Sequence, residues 1–275
     1  MSTYENHRAH RSRRSFCTLA GGAFASLALN SACRLGRSNL ANNGLSEGRL
    51  TARPHSQSAS QTPNSKSFGN AARGEAIKLG VAQERDALLF VPKSAPDAPL
   101  PLLMFLHGAT QSADDMVWYL DSAPEETGVA ILAPNSRDTT WDAITESFGP
   151  DVEVLDRALA RVFEMVPIDP ARIAVGGFSD GATYGISLGL INGDLFKRVA
   201  AFSPGFVIDG APQGKPRFFV SHGTRDRILP IDRCGRRVAA DLKSRGYETT
   251  FREFDGGHEI PGEVMREGLR WISQR

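Results

Sequence analysis

Ser179 lies in a segment whose residue types and spacing could support nucleophilic catalysis. It is the central residue of Gly177-Phe178-Ser179-Asp180-Gly181, which follows the apolar run 173–175 and precedes a stretch of small and apolar residues. A strand, a tight turn and a helix would hold the serine hydroxyl clear of the backbone, and glycines allow the close backbone approach that this turn needs. Free N–H groups at the start of such a helix stabilise developing negative charge. The pattern predicts a nucleophilic serine, although a serine that only caps a helix would also fit the pentapeptide.

A serine hydroxyl needs a general base and an orienting carboxylate, and the chain has a candidate for each. Asp226 follows the apolar run 218–220, and His258 follows a strand predicted at 249–254. Loops that follow parallel strands meet at one edge of a sheet, so Ser179, Asp226 and His258 can converge although they are far apart in the chain. We therefore expect His258 to act as the base and Asp226 as the acid.

Other residues of the same types are weaker candidates. Asp232 could be the acid, but it lies at the start of a predicted helix, where acids commonly offset the helix dipole. His222 could be the base, but a histidine at a strand end is more often packed and hydrogen-bonded. We interpret His107 as a structural residue, and Ser203 and Ser221 lack the strand, turn and helix pattern.

Composition and charge limit the classes of function. The 275 residues are 41% apolar and 23% charged, as in an ordinary globular protein. Lys plus Arg number 32 against 31 for Asp plus Glu, so a net charge of +1 gives no sign of a nucleic-acid partner. Neither the histidines nor the cysteines show metal-ligand spacing. The cysteines are Cys17, Cys33 and Cys234. The sequence therefore predicts neither a bound metal nor a cofactor.

The first 33 residues have the pattern of an export signal. Several arginines precede an apolar run at roughly 16–32, which is too short and too weakly apolar to span a membrane. Ser12-Arg13-Arg14-Ser15-Phe16 resembles the twin-arginine export motif. Leu29-Asn30-Ser31-Ala32-Cys33 resembles a bacterial lipobox, whose cysteine is lipidated, but Asn30 departs from its usual aliphatic residue. We expect export from a bacterial cytoplasm, with the protein either periplasmic, anchored to a membrane through Cys33, or secreted without an anchor.

Residues 34–73 have the composition of a disordered tether. They are rich in Ser, Asn, Gln, Gly and Ala, with few large apolar side chains to offset the entropy of ordering. From residue 74 the pattern becomes globular and continues to residue 275. The sequence thus predicts three parts: a signal at 1–33, a tether at 34–73 and one folded domain at 74–275.

The folded part alternates between strand and helix patterns. Two short strands at 76–81 and 87–91 would form a hairpin, and the continuous apolar run 102–106 is typical of a strand buried on both faces. Such alternation predicts a mostly parallel sheet with helices on both faces. Further strands are predicted at 129–133, 173–175, 199–202, 218–220 and 249–254, and helices at 112–121, 151–166, after Ser179, 231–245 and 259–273.

Four motifs in order resemble the phospholipase/carboxylesterase group of α/β-hydrolases. They are His107-Gly108, the pentapeptide around Ser179, His222-Gly223-Thr224-x-Asp226 and Gly257-His258. The hexapeptide HGATQS, which begins at His107, is also similar to polyhydroxybutyrate depolymerases and feruloyl esterases. The resemblance covers residues 74–275 and implies an α/β-hydrolase fold and a serine hydrolase that cleaves carboxylic esters through an acyl-enzyme. It also implies that the backbone N–H groups of Ala109 and Asp180 form the oxyanion hole.

The lengths of two connections predict the shape of the site. About fifteen residues, 203–217, separate two predicted strands, which is too few for a cap domain, so we expect an open site. The loop 135–150 carries Trp141, which we expect to form a wall of that site. An open site suits bulky or polymer-attached esters as well as small ones. Alternatives are a thioesterase or peptidase that uses the same triad, or a catalytically silent, surface-tethered binding module.

Overall fold

The computed structural model describes residues 44–54, 74–94, 96, 98–120 and 122–274. The predicted export signal with Cys33, and most of the predicted tether, lie outside these residues. None of the helices within the described ranges has the length and apolar character needed to cross a membrane.

Eight strands and seven named helices follow one another along the described chain. The strands are β1 (Ala76–Lys78), β2 (Leu88–Phe90), β3 (Leu100–Leu106), β4 (Ala130–Ala133), β5 (Ile168–Phe178), β6 (Arg198–Phe202), β7 (Arg217–Gly223) and β8 (Thr249–Phe254). The helices are α1 (Ala113–Leu120), α2 (Ala123–Thr127), α3 (Asp142–Thr145), α4 (Pro150–Met165), α5 (Asp180–Ile191), α6 (Gly235–Ser244) and α7 (Gly262–Ser273). The short helices α2 and α3 were not expected from the sequence; the others correspond to predicted elements within a few residues.

All eight strands form a single sheet in the order β1-β2-β4-β3-β5-β6-β7-β8. The β1–β2 and β2–β4 pairs are antiparallel, and every other pair is parallel. The predicted hairpin and the mostly parallel sheet are therefore confirmed. Since β5, β7 and β8 run in the same direction, the loops that follow them lie at the same edge of the sheet.

Hydrophobic side chains cover both faces of the sheet. In β3 every residue is buried, and successive side chains alternate between the two faces. Leu102 and Met104 pack on the face covered by α4, α5 and α6, whereas Leu103 and Phe105 pack on the face covered by α1, α2 and α7. The prediction of helices on both faces is confirmed.

The connection between β6 and β7 is short, as predicted. Residues 203–216 include no helix and no strand, apart from one isolated bridge between Gly193 and Gly214. No cap domain is therefore inserted in this described connection, and the carboxyl-terminal edge of the sheet is left open at this point.

Residues 44–54, here called the strap, pack on the domain, so the prediction of a disordered tether is wrong for them. Leu50 is only 1% exposed, and its N–H donates to the Asn192 side chain at 2.8 Å. Arg49 forms an ion pair with Asp194, and Asp156 accepts from the Thr51 N–H. A single buried leucine and polar partners more than a hundred residues away hold the strap, and composition alone does not reveal such contacts.

Candidate active site

Ser179 occupies a strained turn between β5 and α5. Its φ of +56° and ψ of −118° lie in a region that non-glycine residues rarely adopt. A Cβ on Gly177 would lie 2.4 Å from the carbonyl oxygen of Leu106, and one on Gly181 would lie 2.2 Å from the same atom. Only glycine fits at these two positions, since real Cβ atoms do not approach backbone so closely. The turn thus presses against the end of β3 and leaves Ser179 half-buried at its tip.

The structure brings Ser179, His258 and Asp226 together at the carboxyl-terminal edge of the sheet. The Oγ of Ser179 lies 2.9 Å from Nε2 of His258. Nδ1 of the same imidazole lies 2.6 Å from Oδ2 of Asp226. When Nδ1 donates to the carboxylate, Nε2 carries a lone pair directed at the serine hydroxyl, which is the arrangement a general base requires.

The Asp226 carboxylate is buried and surrounded by donors. Its Oδ1 accepts from the backbone N–H groups of Ile228 and Leu229 at 2.9 and 2.8 Å. Its Oδ2 faces His258 and also lies 3.1 Å from Nε2 of His222. The two backbone N–H groups and the His258 imidazole fix the orientation of this carboxylate.

His222 and Asp232, the weaker candidates, do not take part in the contact with Ser179. His222 is buried, and its Nε2 donates to the Leu229 carbonyl at 2.7 Å. Burial lowers the pKa of His222, which keeps the imidazole neutral. Asp232 is largely exposed and forms an ion pair with Arg236 at 2.6 Å. His222 therefore supports the Asp226 loop from inside, and Asp232 belongs to the surface before α6.

His107 anchors the turn that carries Ala109. Its Nδ1 donates to the Gly108 carbonyl at 2.7 Å, and its Nε2 accepts the Ser136 N–H at 3.0 Å. Both ring nitrogens are thus satisfied in the neutral form, and burial lowers the pKa of His107 to about 4. The structure agrees with a structural interpretation of this residue.

Within this turn, Ala109 alone has an N–H without a protein acceptor among the described residues. The Gly108 N–H donates to Oε1 of Gln111 at 2.9 Å, the Thr110 N–H to Thr139 O at 2.6 Å, and the Gln111 N–H to Gly108 O at 3.2 Å. The Ala109 residue is exposed. A Cβ on Gly108 would lie 3.4 Å from the Cβ of Ser179, so the turn is adjacent to the serine. The free donor is therefore available to a group bound at Ser179.

Asp180 is the first residue of α5, where a backbone N–H has no partner inside the helix. Its side chain is turned to Thr140, whose hydroxyl donates to Oδ2 at 2.7 Å. The helix start and the Ala109 turn are in contact, since a Cβ on Gly181 would lie 2.5 Å from the His107 carbonyl oxygen. Within the part of the chain that the structure describes, the N–H groups of Ala109 and Asp180 have no acceptor, and they flank Ser179 on adjoining turns.

Trp141 is not a wall of the open site, and this prediction is wrong. The residue is 0% exposed, and its indole Nε1 donates to the His107 carbonyl at 2.8 Å. Its ring packs between those of His107 and Tyr184, with centroids 4.8 and 5.4 Å away. A large apolar indole in a loop is buried where the core can accept it, and here it lies behind the turn that carries Ala109.

A buried carboxylate, Asp151, and a half-buried one, Asp142, hold the loop around Trp141, and neither role was predicted from the sequence. Asp151 accepts from the N–H groups of Arg137 and Asp142 at 2.6 and 2.7 Å. Asp142 in return accepts from the Asp151 N–H at 2.9 Å and from the Tyr184 hydroxyl at 2.8 Å. Burial raises the pKa of Asp151 to about 6. An acid at the start of a predicted helix is usually exposed, so no sequence signal distinguishes this one.

Phe206 and Ile228 were also missed, and they flank the site. Their side chains are 49% and 70% exposed, and these two are the exposed large hydrophobic residues among those that the structure describes. Their loops adjoin: a Cβ on Gly205 would lie 3.7 Å from Leu229, and the Gly205 N–H donates to Thr183 Oγ1 at 2.9 Å. Thr183 in turn donates its N–H to Ser179 O at 3.0 Å. Their position next to the site could have been predicted from the sequence, because both are apolar residues in loops that follow β6 and β7, and those loops lie at the edge of the site.

Nothing in the described residues resembles a metal centre: no group of three or more His, Cys, Asp or Glu side chains could hold an ion.

Comparisons with known proteins identify a family and several relatives. Residues 128–274 match the family model described as phospholipase/carboxylesterase. A probable feruloyl esterase C of Aspergillus terreus is 25% identical over 210 residues, which cover 64% of this chain and 76% of that protein. An acyl-protein thioesterase 1 of Emericella nidulans is 31% identical over 97 residues, which cover 32% of this chain and 40% of that one.

Solved structures share the fold. A truncated carbohydrate esterase from gut microbiota has a TM-score of 0.61 at 15% identity, over 74% of this chain and 96% of that one. The fluorophosphonate-binding serine hydrolase F of Staphylococcus aureus has a TM-score of 0.59 at 14% identity, over 74% and 100%. The sheet topology, the motifs and the family match together lead to one conclusion: the chain is an esterase-like hydrolase that belongs to the phospholipase/carboxylesterase family of α/β-hydrolases.

Proposed function

We propose that this protein hydrolyses carboxylic esters through a triad of Ser179, His258 and Asp226 and a covalent acyl-enzyme. The proposal rests on two consecutive hydrogen-bond contacts. Ser179 Oγ lies 2.9 Å from His258 Nε2, and His258 Nδ1 lies 2.6 Å from Asp226 Oδ2. The family match supports an ester bond as the target.

In the first half of the reaction, Ser179 Oγ attacks the ester carbonyl carbon while Nε2 of His258 takes the hydroxyl proton. The carbonyl oxygen becomes negative and accepts hydrogen bonds from the N–H groups of Ala109 and Asp180, each worth roughly 3 kcal/mol in comparable sites. The tetrahedral intermediate then collapses, the bond to the alcohol oxygen breaks, and His258 donates its proton to the leaving alcohol. The acyl group remains on Ser179.

In the second half, water replaces the alcohol. His258 takes a proton from the water, whose oxygen attacks the acyl carbon, and the same two N–H groups stabilise the new oxyanion. Collapse breaks the bond to Ser179 and returns the proton to its oxygen, which releases the carboxylic acid. Asp226 holds one tautomer of His258 through both halves and stabilises the imidazolium, and the backbone N–H groups of Ile228 and Leu229 hold its carboxylate in place.

For the acyl group we propose an apolar surface made by Phe206 and Ile228. Both side chains are exposed on loops next to the Ser179 turn, and exposed apolar side chains there suit an aromatic or long aliphatic acyl chain. The absence of an insertion between β6 and β7 suits a bulky alcohol portion, as in a polymer-attached ester. A relative named as a feruloyl esterase makes feruloyl esters the first aromatic substrates to test.

A panel of p-nitrophenyl esters of increasing acyl length, together with methyl ferulate, tests this function. We expect hydrolysis by the wild-type chain, with kcat/KM that rises from acetate to longer or aromatic acyl groups, and none above background by Ser179→Ala. Equal rates for the wild type and Ser179→Ala across the panel would contradict the proposal.

A thioester is the second candidate substrate, because part of the chain is 31% identical to an acyl-protein thioesterase. The same triad attacks thioesters, so the contacts around Ser179 do not choose between the two bonds. Matched oxygen and sulfur esters of one acyl group distinguish them. A kcat/KM at least about tenfold higher for the sulfur ester, a difference of about 1.4 kcal/mol, would favour the thioesterase.

For the N-terminus we propose export through the Arg13-Arg14 motif and lipidation at Cys33, which would place the domain at the outer side of a bacterial inner membrane. With the strap docked, ten residues, 34–43, join Cys33 to the domain, a reach of at most about 35 Å. Mass spectrometry of the mature N-terminus tests this. An acylated Cys33 supports anchoring, and an unmodified terminus elsewhere would leave a periplasmic or secreted hydrolase.

A further inference from the structure

A cavity of about 430 Å³ lies at the edge of the sheet opposite to the triad. Five cationic side chains and one carboxylate are among the residues that line it: Arg172, Lys197, Arg198, Lys215, Arg217 and Asp169. Arg198 and Arg217 are the first residues of β6 and β7, whereas Ser179 follows the last residue of β5. From Arg172 to Ser179 the strand rises by about 3.3 Å per residue, so the two sites are roughly 20 Å apart.

Arg198 is the unusual member of this group, which we call the basic edge. The residue is only 6% exposed, and its Nε is buried without a hydrogen-bond partner. Its guanidinium has no acceptor among the described residues; its contact is with the ring of Trp271, whose centroid lies 5.7 Å away. A buried cation without an acceptor is costly, and such a group in a native fold calls for a missing partner.

The surroundings increase this cost. Arg198 and Arg217 are direct partners in the β6–β7 register, and like charges placed opposite one another are destabilising. The carboxylates nearby are already engaged: Asp169 binds Arg172 at 2.7 Å, and Glu248 binds Arg217. Five cations against these two acids leave an excess of three positive charges. Burial and the neighbouring Arg217 and Arg172 lower the pKa of Arg198 from its ordinary value.

We propose that the basic edge binds a phosphate group, with Arg198 and Arg217 as its principal ligands. Planar guanidinium groups match the oxygens of a phosphate in pairs, and a group with up to two negative charges would offset most of the local excess. The cavity is larger than one phosphate, so the molecule to which the phosphate is attached also has room.

The phosphate could come from a small molecule or from a lipid headgroup. The strap docks at the same end of the domain: Arg49 pairs with Asp194, and Lys197 donates to the Asp194 carbonyl at 2.5 Å. An anchor upstream of the strap would bring the basic edge towards anionic headgroups and direct the triad away from the membrane. Both sources use the same ligands on the protein, and the experiment separates them.

The test uses the full chain and the fluorescence of Trp271, which lies beneath Arg198. Inorganic phosphate is titrated at constant ionic strength against chloride, and binding is measured in parallel by calorimetry. Vesicles of phosphatidylglycerol or phosphatidylcholine are tested by co-sedimentation. The variants are Arg198→Gln and Arg217→Gln, with Arg161→Gln as the matched control, because Arg161 is an exposed arginine that pairs with Glu164 on α4. Trp271→Phe removes the reporter and is expected to keep calorimetric binding.

We expect saturable phosphate binding by the wild type and by Arg161→Gln, weakened about tenfold or more in Arg198→Gln and Arg217→Gln, the ratio that one charge-assisted hydrogen bond supplies. Binding to phosphatidylglycerol vesicles but not to free phosphate, with the same dependence on these arginines, assigns the site to a lipid headgroup. Hydrolysis of a small ester is expected to stay unchanged in all variants. If Arg198→Gln does not fold, the phosphate affinity of Arg217→Gln tests the proposal. Wild-type affinity in the folded arginine variants, or no binding of either phosphate source by the wild type, overturns the proposal.

Discussion

Trp141 donates its indole N–H to the carbonyl oxygen of His107 at 2.8 Å, from a position that is entirely buried. This contact joins the loop around α3 to the turn that presents Ala109. The sequence predicts that Trp141 faces the substrate, whereas in the structure it supports the turn that carries Ala109 from behind.

Trp141→Phe keeps an aromatic ring but leaves the His107 carbonyl without its donor. We expect a loss of about 1–2 kcal/mol in the free energy of unfolding, since a buried acceptor is left unsatisfied. We also expect kcat to fall while KM changes little, because the Ala109 N–H acts on the transition state. Urea denaturation and steady-state kinetics measure the two effects. Trp271→Phe, on α7, serves as the control. An unchanged kcat in Trp141→Phe would contradict the proposed link between Trp141 and the turn that carries Ala109.

Asp226→Asn tests the choice of acid. The amide cannot hold the required tautomer of His258, so we expect kcat to fall by about 10⁴, as in serine proteases with the equivalent change. Asp232→Asn removes an exposed ion pair with Arg236 and is expected to cost less than about 1 kcal/mol of stability and no activity. Kinetics on one p-nitrophenyl ester compares the two variants, and the reverse order of effects would show that the wrong carboxylate was chosen.

Because His107 is buried, we expect the free energy of unfolding to depend on pH. Burial lowers its pKa from 6.5 to about 4, so the unfolded chain binds a proton below pH 6.5 that the folded protein takes up only near pH 4. Its contribution to stability is therefore present above pH 6.5 and is lost as the pH falls towards 4, by about 3 kcal/mol in total.

Asp151 acts in the opposite direction over nearly the same range. Burial raises its pKa from 3.8 to about 6, so its ionisation destabilises the fold as the pH rises. The two contributions offset each other in the wild type, and a variant is needed to separate them. We expect the stability advantage of the wild type over His107→Gln to shrink by about 3 kcal/mol between pH 7 and pH 4. A constant difference between the two proteins in urea titrations would contradict this account.

Phe206→Ala tests the proposed acyl surface. Removing an exposed aromatic ring that contacts a long or aromatic acyl group is expected to lower kcat/KM for that ester by roughly tenfold, or about 1.4 kcal/mol. The acetate ester is too short to profit from this contact and serves as the internal control. Ile228→Ala is expected to behave alike. An equal fall for acetate and for the long ester would indicate a structural effect instead.

The positions of Ser179, Asp226 and His258 could be predicted because each follows a predicted strand, and parallel strands end at one edge. The same reasoning could not place Trp141, because an aromatic residue in a loop can face either the core or the solvent. It also could not find the buried role of Asp151 or the docking of Leu50, since both depend on partners far away in the chain. Alternation along the chain predicts the sheet, whereas contacts between loops follow only from the assembled fold.

Covalent labelling with a fluorophosphonate tests the central claim most directly. The probe phosphonylates a serine whose proton is removed by a neighbouring base, and peptide mass spectrometry identifies that serine. We predict a single label on the peptide that contains Ser179, and none in Ser179→Ala, which is expected to unfold at the same urea concentration as the wild type. A label on another serine, or no label on a folded protein that still hydrolyses esters, would contradict the assignment of Ser179 as the nucleophile.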